Sequence, residues 1–309
     1  MSLVLNNCHI LLYHGTFERV PEGMEKGLHN VSPLVFQAQV RWLRENFDLV
    51  TVDEISSGSD LAGKAAITFD DAYSSIFSNA LPWLIDEGIP SCVYVNSALI
   101  EGRGFWRDKI RYLINCGLVA DFLDFCQSEP EIAAILPEQF YRASKKPELN
   151  SSLVDLALNR FFAARPSTKA FNLLLKAIAS RKELLDHPLV SYGNHSHSHY
   201  VLSSLSEGQQ HDEILLCRDW LEVSGLNLSE SFAAPFGGGR DINSSTERIV
   251  REQGYRSLLM SRKAVNRGMV PSREANGLRI LERYMAPDSL GELQGLVREM
   301  DGPTGSGAW

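Results

Sequence analysis

The feature that most constrains this 309-residue chain is an alternation of short, apolar, β-rich runs with longer stretches of helical periodicity. The runs fall at His9–Tyr13, Ala65–Phe69, Ser91–Asn96, Leu189–Gly193, Ser231–Ala234, Arg256–Met260 and Leu278–Met285. Strands separated by helices cannot pair through tight hairpins, so the alternation implies an α/β fold with a mainly parallel sheet, open or closed into a barrel.

The intervening stretches carry helix signals. Ser32-Pro33 reads as an N-cap followed by proline at the first helical position, and Phe36, Val40 and Leu43 then share one face. Ile76 to Glu87 reads as a second helix, closed by Gly88 and Pro90. Further helices are expected at Ser206–Val223, Ser244–Gln253 and Asp288–Met300. The alternation breaks from about residue 105 to 187, where only helical periodicity appears: Trp106, Ile110, Leu113 and Ile114, then Val154, Leu158 and Phe161, then Phe171 to Ile178. This stretch reads as a helical insertion between two core strands of a single domain over residues 1–300. The tail Asp301 to Trp309, rich in Gly, Pro, Thr and Ser, is expected to be loose.

Composition narrows the function. The chain has 38 acidic and 30 basic residues, net −8, which argues against a general nucleic-acid surface. No stretch approaches the ~18 consecutive apolar residues of a membrane span. Met1 to Gly15 lacks a basic n-region and is interrupted by Asn6 and Asn7, so it reads as a first strand rather than a signal peptide. Five scattered cysteines with no C-x-x-C pair argue against a disulfide framework. The expectation is a cytoplasmic protein with no nucleic-acid partner.

Chemistry concentrates at the ends of the runs, where parallel α/β proteins place their ligands. Thr68-Phe69-Asp70-Asp71 closes the second run. Adjacent carboxylates repel and favour a nearby cation, so one can bind a metal while the other stays free to take a proton; an isolated Asp-Asp more often merely caps the next helix. Gly193-Asn194-His195-Ser196-His197-Ser198-His199 holds three of the chain's eight histidines. On a helical turn His195 and His199 share a face, whereas on a strand all three histidines point one way; either arrangement can grip an ion. Two histidines and a carboxylate suit one divalent metal ion, zinc foremost, with cobalt, nickel or iron as alternatives. The third element, Phe232 to Gly239, ends in Pro235-Phe236 and three glycines, a loop that permits close backbone approach but lacks the lysine of a phosphate loop.

Together these motifs resemble the polysaccharide deacetylase family, the NodB-homology domain of carbohydrate esterase family 4. Its T-F-D-D motif corresponds to Thr68–Asp71, its H-[ST]-x-x-H motif to His195–His199, and its strand-ending P-[YF]-G to Pro235-Phe236-Gly237. The resemblance implies a distorted (β/α) barrel of about seven strands. It further implies Asp70 as catalytic base, Asp71, His195 and His199 as metal ligands, and an oxyanion-donating N–H beside Phe236. Three departures stand out: Ala72 follows the aspartates where the family usually has glycine, Ala233 replaces the arginine that orients the base, and the C-terminal L-x-x-H is absent. Some relatives carry that last strand at the N-terminus in permuted order, and Leu11-Leu12-Tyr13-His14 fits it, which makes His14 the candidate general acid. Arg283, in the last strand, is a candidate replacement for the missing arginine.

The implied activity is metal-dependent removal of N-acetyl groups from an N-acetylated sugar or polysaccharide. Tyr73, Pro235 and Phe236 are candidates for substrate contact, with Trp106 a further aromatic surface. The alternatives are hydrolysis of another linear amide, such as a formamide, and a catalytically silent carbohydrate-binding relative.

Overall fold

A computed structural model of the protein describes residues 7–166, 168–267, 274–275 and 277–302. Its strands, in chain order, are β1 (Asn7–Tyr13), β2 (Asp48–Leu49), β3 (Lys64–Asp70), β4 (Ser91–Val95), β5 (Val190–Asn194), β6 (Leu228–Ala233), β7 (Ser257–Ser261), β8 (Asn266–Arg267), β9 (Glu274–Ala275) and β10 (Leu278–Met285). Seven of them close into a parallel barrel in the order β3-β4-β5-β6-β7-β10-β1, with β1 returning to β3. The seven apolar runs of the sequence are these seven strands, their ends shifted by at most three residues. The two-residue strands β2, β8 and β9 lie off the barrel and carry too little pattern to be read.

The barrel is uneven. β1 and β3 pair over five registered positions, His9↔Ala65 to Tyr13↔Phe69. Its other neighbour, β10, meets it only at Leu11↔Tyr284 and Leu12↔Met285. The β5–β6 register also slips between Tyr192 and Asn194.

Strand side chains alternate between faces, and the alternation sorts the core. One set of buried residues fills the barrel: Ile10, Ala66, Cys92, Tyr94, Ala233, Leu259 and Leu281. Their neighbours Leu11, Ile67, Val93, Phe232, Leu258 and Ile280 pack outward under the helices. Asp70 is four residues beyond Ala66 and Arg283 two beyond Leu281, so both share the inward parity. Helix Pro33–Asn46 buries Phe36, Val40 and Leu43 as expected, although Ser32 makes no side-chain cap.

Three readings need correction. The segment Ile76–Glu87 starts as a π-helical turn, Ile76–Ala80, before α-helix Leu81–Asp86. Pro82 has no N–H for the carbonyl four residues back, so the Leu81 N–H bonds to Ile76 and the turn widens. Asp301 belongs to helix Leu290–Asp301 rather than to a loose tail, because its carboxylate bonds His9 Nε2 at 3.1 Å and Asn7 Nδ2 at 2.7 Å. Residues 303–309 of the expected tail lie outside the described residues. His195 to His199 form neither helix nor strand, as described below.

The stretch between β4 and β5 is helical, with Trp106–Asn115 and Ser151–Ala163 its longest elements. Asp155 anchors it to the β5 loop by accepting from Arg103 Nη2 at 2.7 Å and from the Tyr200 hydroxyl at 2.8 Å. No helix among the described residues is long and apolar enough to cross a membrane.

Candidate active site

Parallel strands in a closed barrel bring their C-terminal ends to one rim. There β1 delivers His14, β3 delivers Asp70 and Asp71, β5 leads to His195 and His199, and β6 to Phe236. The loops are held in unusual backbone conformations. Among the described residues the five non-glycines with positive φ are Asp71, Ala72, Ser196, His199 and Phe236, and all belong to this rim. Each such residue costs about 1–3 kcal/mol and persists where the surroundings over-determine it. Ala72, at φ 55°, explains why glycine suits that position. The neighbouring Gly237, at φ 69°, admits no side chain, since a Cβ would lie 2.4 Å from the Ser261 nitrogen.

Asp71, His195 and His199 are buried, with ligand-type atoms all within 4.8 Å of one another. Asp71 Oδ1 lies 3.3 Å from His199 Nε2 and 3.7 Å from His195 Nε2. That oxygen has no hydrogen-bond partner among the described residues, an orphaned acceptor that a cation would satisfy. Burial, then the charge of Asp70, pushes the Asp71 carboxyl well above its usual pKa. Burial lowers His195, and burial with the neighbouring His195 and Arg107 lowers His199, so both imidazoles are held neutral, the form that binds metals. His195 Nδ1 donates to the Ala233 carbonyl at 2.8 Å, which leaves its Nε2 lone pair facing Asp71. The residues present therefore fit a metal ion.

Asp70 is arranged differently. Arg283 Nη1 and Nη2 grip its two oxygens at 2.8 and 2.9 Å. Burial pushes the carboxyl up, but Arg283, His195 and these hydrogen bonds outweigh it, and Asp70 lies below the usual carboxylate value. Neither aspartate caps the following helix. Two adjacent carboxylates thus have divergent environments, one ion-paired and one unpaired.

His14 is half-buried, its Nε2 4.0 Å from Asp71 Oδ2. Its Nδ1 meets His29 Nδ1 at 3.1 Å, and His29 Nε2 lies 2.7 Å from the Ala286 carbonyl. A carbonyl only accepts, so His29 carries its proton on Nε2 and accepts on Nδ1. His14 must then donate from Nδ1, leaving Nε2 as the atom turned to the site. Burial, then His29, lowers the His14 pKa well below the ordinary value. His29 lies in the loop between β1 and helix Pro33–Asn46, where no periodicity marks it.

Phe236 lines the cavity over these groups, which has a volume of about 260 Å³. Its ring stands 4.7 Å from that of His199, and its N–H donates to no acceptor among the described residues. Pro235 is buried behind it, its carbonyl accepting from Gly237 at 2.7 Å. Tyr73 and Trp106 are core residues rather than substrate surfaces. The Tyr73 hydroxyl donates to Asp108 and accepts from Arg111, and the Trp106 indole holds the His199 carbonyl at 3.0 Å. Large rings with one polar tip are readily recruited as supports beneath a polar loop. The helical insertion adds Arg107, Arg111, Tyr141 and Lys145 to the cavity, none of them legible as site residues in the sequence.

A closed seven-stranded parallel barrel with these loops on one rim is the fold of solved structures described as polysaccharide deacetylases. Among solved structures the chain is similar to the Streptococcus pyogenes deacetylase PplD (17% identity, TM-score 0.56, covering 94% of this chain and 98% of that one). It is also similar to IcaB from Ammonifex degensii (18%, 0.55, 95% and 97%) and to a de-N-acetylase from Aggregatibacter actinomycetemcomitans (10%, 0.57, 94% and 99%). At these identities the likeness is one of fold. No family model and no curated protein sequence matches the chain.

Proposed function

We propose that the protein is a metal-dependent hydrolase that removes acetyl groups from an N-acetylated saccharide, giving acetate and a free amine. The observation that carries this reading is the pairing of an unsatisfied Asp71-His195-His199 donor set with an ion-paired Asp70 beside it. The similar solved structures, described as deacetylases, support it.

Asp71, His195 and His199 would hold one divalent ion, with zinc the first choice for two imidazoles and one carboxylate. When bound it supplies Lewis acidity, lowering the pKa of water at the site and polarising the acyl oxygen. The residues do the rest. Asp70, kept ionised and fixed in orientation by Arg283, takes a proton from the attacking water as the new C–O bond forms. The Phe236 N–H is free to donate to the oxygen that gains charge at the acyl carbon. As the C–N bond breaks, the proton taken from the water passes to the departing nitrogen by way of His14 Nε2, whose lone pair is open to receive it while His29 holds the ring in place. Burial of the rim by Phe105, Phe236 and the insertion restricts water around these groups.

The test is acetate release from N-acetylated oligosaccharides of several lengths, by metal-stripped protein and after adding back zinc, cobalt, nickel or ferrous iron. Release that depends on metal supports the reading. Absence of release from every acetylated sugar under all metals refutes it, and formate release from formamides would replace acetate by formate as the product.

A further inference from the structure

The cavity wall contributed by the insertion carries more positive charge than the chemistry above uses. Arg283 is balanced by Asp70, and Arg111 by Asp108, with which it forms a buried ion pair. Arg107 and Lys145 have no such partner: neither forms an ion pair with a carboxylate among the described residues. Arg107 is only 1% exposed. Two of its five N–H donors go to neutral acceptors, the Ser144 hydroxyl at 2.9 Å and the Tyr141 carbonyl at 3.2 Å. Its guanidinium lies over the rings of Tyr141 and Phe236, at 4.6 and 5.6 Å. Lys145 Nζ lies over the same two rings, at 5.8 and 5.3 Å.

The nearby carboxylates form no ion pair with either cation. Asp108 bonds Tyr73 and Arg111 through Oδ1, Asp241 accepts from the Gly238 N–H at 2.7 Å, and their charges act on Arg107 and Lys145 only across space. Two like charges around one pair of rings repel, and aromatic faces return only about 0.5–2 kcal/mol each. Leaving a buried cation without a counter-charge costs several kcal/mol. Burial accordingly pushes Arg107 down to a pKa of about 10. The protein as a whole is acidic, net −8, so this wall runs against the global charge. A fold keeps such a site where a ligand supplies the missing anion.

Phe236 contacts both these cations, at 5.6 and 5.3 Å, and His199, whose ring is 4.7 Å from it. An anion bound by Arg107 and Lys145 therefore occupies the same cavity as the acylamino group undergoing reaction.

Resting on the deacetylase reading, we propose that the saccharide substrate carries an anionic group, a carboxylate or a phosphate, received by Arg107 and Lys145. The guanidinium offers planar, paired donors suited to either anion, and the ammonium adds a point charge.

The experiment compares metal-loaded protein on N-acetylglucosamine and on its anionic derivatives: the 1- and 6-phosphates, N-acetylmuramic acid and the N-acetylated uronic acid. Acetate release gives kcat/KM, and calorimetry gives Kd separately. At least one anionic sugar is expected to exceed the neutral parent tenfold or more in both, and the phosphate and carboxylate arms identify which anion is recognised. Arg107→Gln and Lys145→Met should each bring the anionic-to-neutral ratio toward one. Lys145 is only half-buried, so its variant remains informative even where Arg107→Gln impairs folding. A neutral parent that binds and reacts as well as every anionic derivative overturns the proposal alone, as does a ratio untouched by Lys145→Met. Preferential binding of an anionic sugar with no acetate released from any of them overturns the deacetylase reading and leaves the anion site standing.

Discussion

Removing Arg283 is the perturbation that most directly probes how the barrel interior prepares Asp70. Arg283→Met keeps an unbranched side chain of comparable reach but withdraws the counter-charge from a carboxylate that is itself buried. Breaking one partner of a buried pair costs about 3–5 kcal/mol. The variant meets that cost by losing stability or by protonating Asp70. The second route appears as a rise in the Asp70 pKa, since a pKa difference between folded and unfolded states is itself a stability difference. The direction is fixed by burial, the largest influence on this group and the one that raises its pKa. With Arg283 present, the depressed Asp70 pKa contributes stability above the unfolded carboxyl's ~3.9, lost as pH falls through the folded value. In Arg283→Met the folded pKa exceeds the unfolded one, so stability instead falls as pH rises through the window between them. Urea denaturation at pH 4, 5.5 and 7 reads this reversal, and the acid limb of acetate release should move upward with it. Asp70→Asn/Arg283→Met should recover most of the lost stability, because an amide carries no charge to strand. An unmoved acid limb, together with a loss below about 1 kcal/mol, the scale of an exposed ion pair, would refute the reasoning.

The two aspartates should separate by mutation: Asp70→Asn abolishes turnover and retains metal by elemental analysis, whereas Asp71→Asn loses metal as well, and the reverse pattern would exchange their roles. His14→Ala should lower the rate on the order of 10²–10⁴-fold with metal content unchanged; near-native turnover would remove His14 from the mechanism. Metal occupancy after dialysis at a series of pH values should decline on acidification at a pH above the ordinary carboxylate range, because protons compete for Asp71, whose pKa is raised, before they reach the imidazoles, whose pKa values are lowered. Asp70→Asn should move that decline to lower pH, since the Asp70 charge is the second cause of the Asp71 shift; a decline that does not move would count against the electrostatic coupling.

The sequence by itself determined what is written in local pattern. The apolar, β-rich runs placed seven strands, and the strand-to-helix alternation made them parallel, which in turn puts Asp70-Asp71, His195, His199 and His14 at one rim. Side-chain parity within β3 and β10 is equally local, and it turns both Asp70 and Arg283 into the barrel. That these two meet, 213 residues apart in the chain, follows only from closure, because nothing in either strand encodes the other's neighbourhood. The same holds for the pairing of His14 with His29, for Tyr73 being drawn under the Asp71 loop, and for Arg107 and Lys145 reaching the cavity from the insertion. The β5 loop shows the limit from another side. His195 and His199 converge through left-handed backbone at Ser196 and His199, a conformation that no spacing rule for helices or strands contains. Periodicity reports which face of an element is buried; it carries no information on which elements are adjacent. Those long-range contacts, and the strained loop conformations they over-determine, are settled by the packing of the whole chain.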